Sequence, residues 1–217
     1  LDPARFDLFQ RFQTEVLDPM RAYVIPSIQL GRNTSKEAVC TVFEKVNTGG
    51  LPLDVFELLT ATFAGDPAHY ARHGTDFRLN DYWAGVASRL KRHAALTGVR
   101  STDLLQAVAL LATRSRRLAA QKAGTSPTPA ISARRADILR LELAEFLEWS
   151  PKVEEGLIWA ADFLADQHVF VDSDIPYRTQ LVPLAALRAV MGRDIDQHAV
   201  ARRIRRWYWC GVLGEQY

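Results

Sequence analysis

Along most of this chain, apolar residues recur every three or four positions, the spacing of one face of an α-helix. Residues 4–24 carry Phe6, Phe9, Phe12 and Val16 at that spacing and stop near Pro26. Thr34 and Glu37 form a capping-box pattern ahead of a predicted helix over 35–46, which puts Val39, Val42, Phe43 and Val46 on one side. Asp54 and Glu57 make a similar acidic box before a helix over 54–64 that stops at Gly65, and Pro67 suits the first turn of another short helix. Amphipathic stretches follow over 80–95, 102–121 and 136–167, then over 179–191 and 195–213. Within 136–167, Ser150-Pro151 marks either a kink or a fresh N-cap with proline at the first position. Thr179 is a candidate cap for the helix over 179–191, with Pro183 in its first turn. The clearest loop is "GTSPTPAI" at 124–131, and "VFVDSDIPY" at 169–177 is a turn-rich connection.

Only "YVIPSIQL" at 23–30 alternates in the manner of a strand, and its proline restricts it to a short extended piece or a sheet edge. Strand signals are too few for a sheet, and no repeat of fixed period occurs. The expectation is an all-α fold: an irregular multi-helix bundle with at most a short extended segment near 23–30, forming a single helical domain over 1–217.

Composition supports a packed core, with 48% of the 217 residues apolar. Net charge is +2, from 27 Lys and Arg against 25 Asp and Glu, too small by itself to argue for nucleic acid. The distribution says more. Between Asp103 and Asp137 there is no acidic residue, yet Arg114, Arg116, Arg117, Lys122, Arg134 and Arg135 all fall there. Such a patch either tracks a phosphate backbone or is the solvated face of the helix whose apolar stripe is Leu104, Leu105, Val108 and Leu111. The last helix repeats the choice. Ile204, Trp207, Tyr208 and Gly211 share a stripe, with Arg202, Arg205 and Arg206 opposite, so the aromatics either stack on bases or belong to the core.

The two cysteines, Cys40 and Cys210, lie in apolar helical patterns and read as buried, reduced thiols; no second pair exists to build a zinc site. No apolar run reaches the roughly 18 residues of a membrane span. The chain opens at Leu1, so the lack of a visible leader says little and an excerpt of a longer protein is expected.

Motifs of direct chemistry are scarce. His69 and His73 are four apart and share a helical face, but no HExxH pattern accompanies them. There is no GxSxG elbow, no Walker A sequence and no GxGxxG; no catalytic residue and no metal ligand is assigned. The one phosphate-loop-like element is Asn47-Thr48-Gly49-Gly50. Glycines there let backbone amides approach an anion, and the next helix N-terminus adds a favourable dipole. A double glycine also serves as a plain helix stop. Arg178 and Gln180 stand just before the apolar helix over 179–191 and could hydrogen-bond a ligand or another subdomain.

Three stretches taken together, "VFEKVNTGGLPLDVFELLTATFA", "IPYRTQLVPLAAL" and "RRWYWCGVLGEQY", resemble the N-terminal domain family of GmrSD-type modification-dependent restriction enzymes. "LDPMRAYVIPSIQLGRNTSKEAV" and "SARRADILRLELAEF" look like the family's linking segments, so the likeness covers nearly the whole chain. The resemblance implies a two-part domain. A ParB-like α/β half carries an Asp-Gly-Gln-Gln-Arg signature tied to nucleotide use, and a helical half follows with a phenylalanine–asparagine–glycine motif. In many members an HNH-type nuclease comes later. Neither the Asp-Gly-Gln-Gln-Arg signature nor an HNH pattern occurs here, so the chain corresponds to the helical half and no catalytic residue carries over. Phe43, Asn47, Gly49 and Gly50 match the second motif and would face the absent signature loop. The implied parent is a nucleotide-dependent DNA restriction or phage-defence protein of the cytoplasm, without a membrane partner. NTP and Mg would serve the full-length protein, with no cofactor in this portion, and DNA, the ParB-like half and an HNH nuclease domain would be its partners. Asn47, Thr48, Gly49 and Gly50 would then contribute one wall of a nucleotide site, and the 114–135 patch would meet DNA. The alternative is a non-catalytic scaffold or protein-interaction domain.

Overall fold

A computed structural model describes residues 3–24 and 54–214, together with positions 27, 29, 38 and 42. The fold is all-α, and among the described residues there is no strand. The chain clusters into two compact units, Leu1–Thr34 and Ser35–Tyr217, where the pattern predicts one domain over 1–217. The first unit is helical through α1 (Pro3–Phe12), a π turn (Gln13–Leu17) and α2 (Asp18–Ala22). Its apolar stripe of Phe6, Phe9, Phe12 and Val16 is exposed. Half of the extended piece expected near 23–30 lies outside the described residues, and Tyr23 is extended (φ −67°, ψ 119°). The 35–46 helix with its Thr34–Glu37 box, Cys40 and the loop Asn47-Thr48-Gly49-Gly50 also lie outside them, apart from Ala38 and Val42, which are helical.

In the second unit, the first helix described throughout is α3 (Val55–Ala64), and here the local signal decides the structure. The Asp54 carboxylate accepts from the Glu57 N–H, and the Glu57 carboxylate accepts from the Asp54 N–H, both at 2.8 Å. Two amides that the helix leaves without partners are thereby satisfied. In α4 (Pro67–His73), Asp66 caps the His69 N–H and Pro67 opens the helix, while Gly74 closes it in the left-handed region (φ 71°). Next come α5 (Leu79–Leu90), a 3₁₀ turn (Ala94–Leu96), α6 (Ser101–Lys122), α7 (Arg135–Leu139) and α8 (Leu143–Asp166). Two 3₁₀ turns, Asp172–Asp174 and Arg178–Gln180, lead into α9 (Leu181–Met191); a further 3₁₀ turn, Gly192–Asp196, leads into α10 (His198–Leu213).

The centre of this unit is α8, which packs on α6 and α9, themselves in contact. Leu104, Leu105, Val108 and Leu111 of α6 are buried, as the periodicity predicts, and share one continuous core with Phe146, Val153, Leu157 and Leu164 of α8. The closest approach is at Gly156. A Cβ built there would stand 2.9 Å from the Ala185 Cα and 3.0 Å from its carbonyl carbon, and nearer still to its carbonyl oxygen. Backbone meets backbone between α8 and α9 because this position has no side chain.

Several boundaries differ from the pattern. The helix expected over 136–167 is two helices, because Leu141 turns into the core at 1% exposure and Glu142 restarts the chain, its N–H donating to the Glu145 carboxylate (3.1 Å). Downstream, α8 runs through Pro151, so Ser150 is not a fresh cap; Ser150 is buried and its hydroxyl bonds the Tyr82 hydroxyl at 2.8 Å. The stretch expected to be helical over 80–95 ends at Leu90. That expected from 195 begins at His198, after the 3₁₀ turn. Thr179 does not cap α9, since the 3₁₀ turn before it leaves Gln180 at the N-cap, itself in a helical conformation. Cys210 is an exposed free thiol rather than a buried one, because it lies on the outward side of α10, away from Ile204 and Tyr208. No helix among the described residues is long and apolar enough to cross a membrane.

Candidate functional site

Of the residues that the sequence marks as a basic patch, Arg116 and Arg134 line one cavity, formed by α6, the 123–134 loop and α7. A clasp holds the loop down. Thr113, buried within α6, accepts from the Ser132 N–H through its hydroxyl oxygen (3.1 Å), and Arg117 donates to the Pro129 carbonyl (3.1 Å). Under this clasp opens a cavity of about 650 Å³ lined by Arg116, Arg134 and Arg140 together with Thr113, Ser132 and Asp137. That volume falls in the range of small-ligand sites.

Electrostatically the patch is less positive than its sequence. Arg116 spends its fork inside the protein: Nε donates to Glu145 at 2.8 Å, and Nη2 donates both to the same carboxylate and to the Arg140 carbonyl, at 3.0 Å. The guanidinium is held above its ordinary pKa by the Glu145 hydrogen bond first, with burial acting against it. Asp137, the first acid after the gap, accepts from the Ser132 hydroxyl (2.6 Å) and from the Arg134 N–H (3.2 Å), so it sits within the cleft. Arg134 and Arg140 remain exposed at the mouth. Arg114, Lys122 and Arg135 do not line the cavity.

The second candidate pair divides. Gln180 is 1% exposed, and its amide Nε2 donates to the Tyr208 carbonyl of α10 (3.1 Å), while its Oε1 has no partner. Arg178 forms an ion pair with Asp172. Asp172 in turn lies against Gly98, where a Cβ would collide with the carboxylate. Gln180 and Arg178 thus tie α9 to α10 and to the segment before α6.

One cavity escaped the sequence reasoning. It has a volume of about 620 Å³ and is lined by Trp159, Asp162, Phe163, Asp166, Asp196 and Arg205 among others. Asp196 is already engaged, accepting from Trp159 Nε1 (3.0 Å) and from Arg188 (2.8 Å). Its carboxyl is held below the ordinary range by the Arg188 hydrogen bond and then by that of Trp159. The sequence signal is Trp159, Asp162 and Asp166 at helical spacing, which stays silent until α10 covers them. His69 and His73 do share a face, with ring centroids 4.4 Å apart; among the described residues no group of three or more His, Cys, Asp or Glu could hold a metal.

Compared with family models, curated proteins and solved structures, the chain matches none of them.

Proposed function

We propose that this chain is the helical half of a nucleotide-dependent DNA restriction or phage-defence protein, and that the cleft between α6 and α7 meets a nucleic-acid phosphate. The observation that carries the reading is the convergence of Arg116 of α6 and of Arg134 and Arg140, at the two ends of α7, on one cavity. Guanidinium groups suit phosphate through their planar, forked donors. In the intact protein, Asn47, Thr48, Gly49 and Gly50 would supply one wall of a nucleotide site, with NTP and Mg bound by the half that carries the signature. The test is binding of the whole chain to labelled duplex DNA across a salt series, with Arg134→Glu and Arg140→Glu compared with wild type. The reading expects tight binding at low salt, a negative salt slope, and loss in both variants. Absence of low-salt binding, or a flat salt response, refutes it.

A non-catalytic scaffold is the second reading, and Arg116 favours it: its charge joins α6 to α8 instead of facing outward. On that reading, Asn47→Ala in the intact protein lowers the melting temperature. On the first, it abolishes nucleotide hydrolysis at unchanged melting temperature.

A further inference from the structure

Most strongly placed arginines of the described chain are consumed by carboxylates. Arg89 pairs with Glu154, Arg116 with Glu145, Arg178 with Asp172 and Arg188 with Asp196. On α10, four arginines stand close together without such partners. Arg202, Arg203, Arg205 and Arg206 are all exposed, and among the described residues none has an ion pair or side-chain hydrogen bond.

At 100° per residue, Arg202, Arg206 and Trp209 fall within an arc of about 60° on the outward side, with Arg205 and Arg203 at its flanks. Ile204, Tyr208 and Gly211 face the core. Trp209 is 36% exposed and anchored at its indole N–H, which donates to Gln167 (3.1 Å). Arg202, Arg205 and Arg206 leave the helix within five residues, an axial rise of about 6 Å, or one charge per roughly 2 Å. Duplex DNA carries about one phosphate charge per 1.7 Å of axis. A membrane surface fits less well. A helix that binds lipid buries an apolar face in the interface, and the apolar face of α10 is already buried in the protein core.

We propose that the outward face of α10 is a second nucleic-acid surface, on which Arg202, Arg205 and Arg206 contact the phosphates of duplex DNA with Trp209 at the rim. The proposal rests on the nucleic-acid reading above but not on the cleft, and one experiment separates them. Fluorescence anisotropy of a labelled random-sequence duplex is followed for the full chain, for the triple variant Arg202→Gln, Arg205→Gln, Arg206→Gln, and for Arg134→Gln, from about 50 to 200 mM salt. Three phosphate contacts give a logarithmic salt slope near −2.7, so affinity falls about 40-fold across that range. The triple variant is expected to lose that part of the slope. Its melting curve should match wild type, because the three side chains are exposed.

Loss in the triple variant with binding retained in Arg134→Gln supports α10 and refutes the cleft. The reverse refutes α10 and leaves the cleft. A wild-type chain that binds no duplex at about 50 mM salt overturns both, and binding to phosphatidylserine vesicles instead of DNA overturns this assignment in favour of a membrane.

Discussion

Replacing Gly156 by alanine sets two well-understood effects against each other. Alanine in a helix interior is favoured over glycine by about 1 kcal/mol, so α8 alone predicts a gain in stability. The added Cβ, however, would meet the Ala185 Cα at 2.9 Å and its carbonyl carbon at 3.0 Å, with the oxygen closer still. These are backbone atoms of α9 and cannot rotate away, so the helices must separate along a fully buried contact. Overpacking of this kind costs about 1–3 kcal/mol, and a backbone clash belongs at the upper end. The net expectation is a loss of about 2 kcal/mol, which for a chain of this size lowers the melting temperature by about 4–8 °C. Gly85 is the control within the same molecule. In the interior of α5, its added Cβ meets only the end of the Arg89 side chain, at 3.4 Å. Gly85→Ala should therefore show the propensity gain unopposed and melt about 2–4 °C higher. Thermal unfolding by far-ultraviolet circular dichroism reads both. If Gly156→Ala melts at or above wild type, the α8–α9 contact is looser than described and the packing argument fails.

Other substitutions probe single features. The Tyr208 hydroxyl is buried without a partner, and an unsatisfied buried group costs about 1–3 kcal/mol, so Tyr208→Phe should raise the denaturant midpoint. Burial also pushes the Tyr208 pKa up; the associated stability is complete below the ordinary tyrosine value near 10 and lost above it, so the advantage of the phenylalanine variant should widen in alkaline titration. Asp196 behaves oppositely. Its lowered pKa makes its contribution present at neutral pH and lost as pH falls below about 4, so the stability gap between wild type and Asp196→Asn should close in acid; a gap independent of pH would contradict the Arg188 and Trp159 contacts. His168 ends α8 with φ 61° in a Schellman turn, its N–H donating to the Ala165 carbonyl and the Val169 N–H to that of Leu164. His168→Gly removes the left-handed penalty and should stabilise by about 0.5–1 kcal/mol, measured by urea unfolding.

What the sequence revealed was local. The Asp54–Glu57 box, Pro67 at a helix start and the Leu104-to-Leu111 stripe each act within one or two turns, and each appears in the structure as the pattern predicts. What it concealed depends on partners far along the chain. A break at Leu141 cannot be told from continued helix until the core that receives its side chain exists. Cys210 has apolar neighbours in sequence, yet its angular position on α10 turns it outward. For the candidate site, the loop over 124–131 and two of its lining arginines, Arg116 and Arg134, were legible, while Arg140, past the acid-free stretch, was not. Nor was the neutralisation of Arg116, because the acid that pairs with it lies 29 residues downstream.

That pairing has a consequence for how the charge of the cleft is set. Glu145 belongs to α8 and does not line the cavity, yet it decides whether one of the three lining guanidiniums faces inward to protein or outward to solvent. The cleft therefore carries a masked cation. Changes in α8, a helix otherwise devoted to packing, can adjust the potential that a passing anion meets without altering any residue the anion would touch.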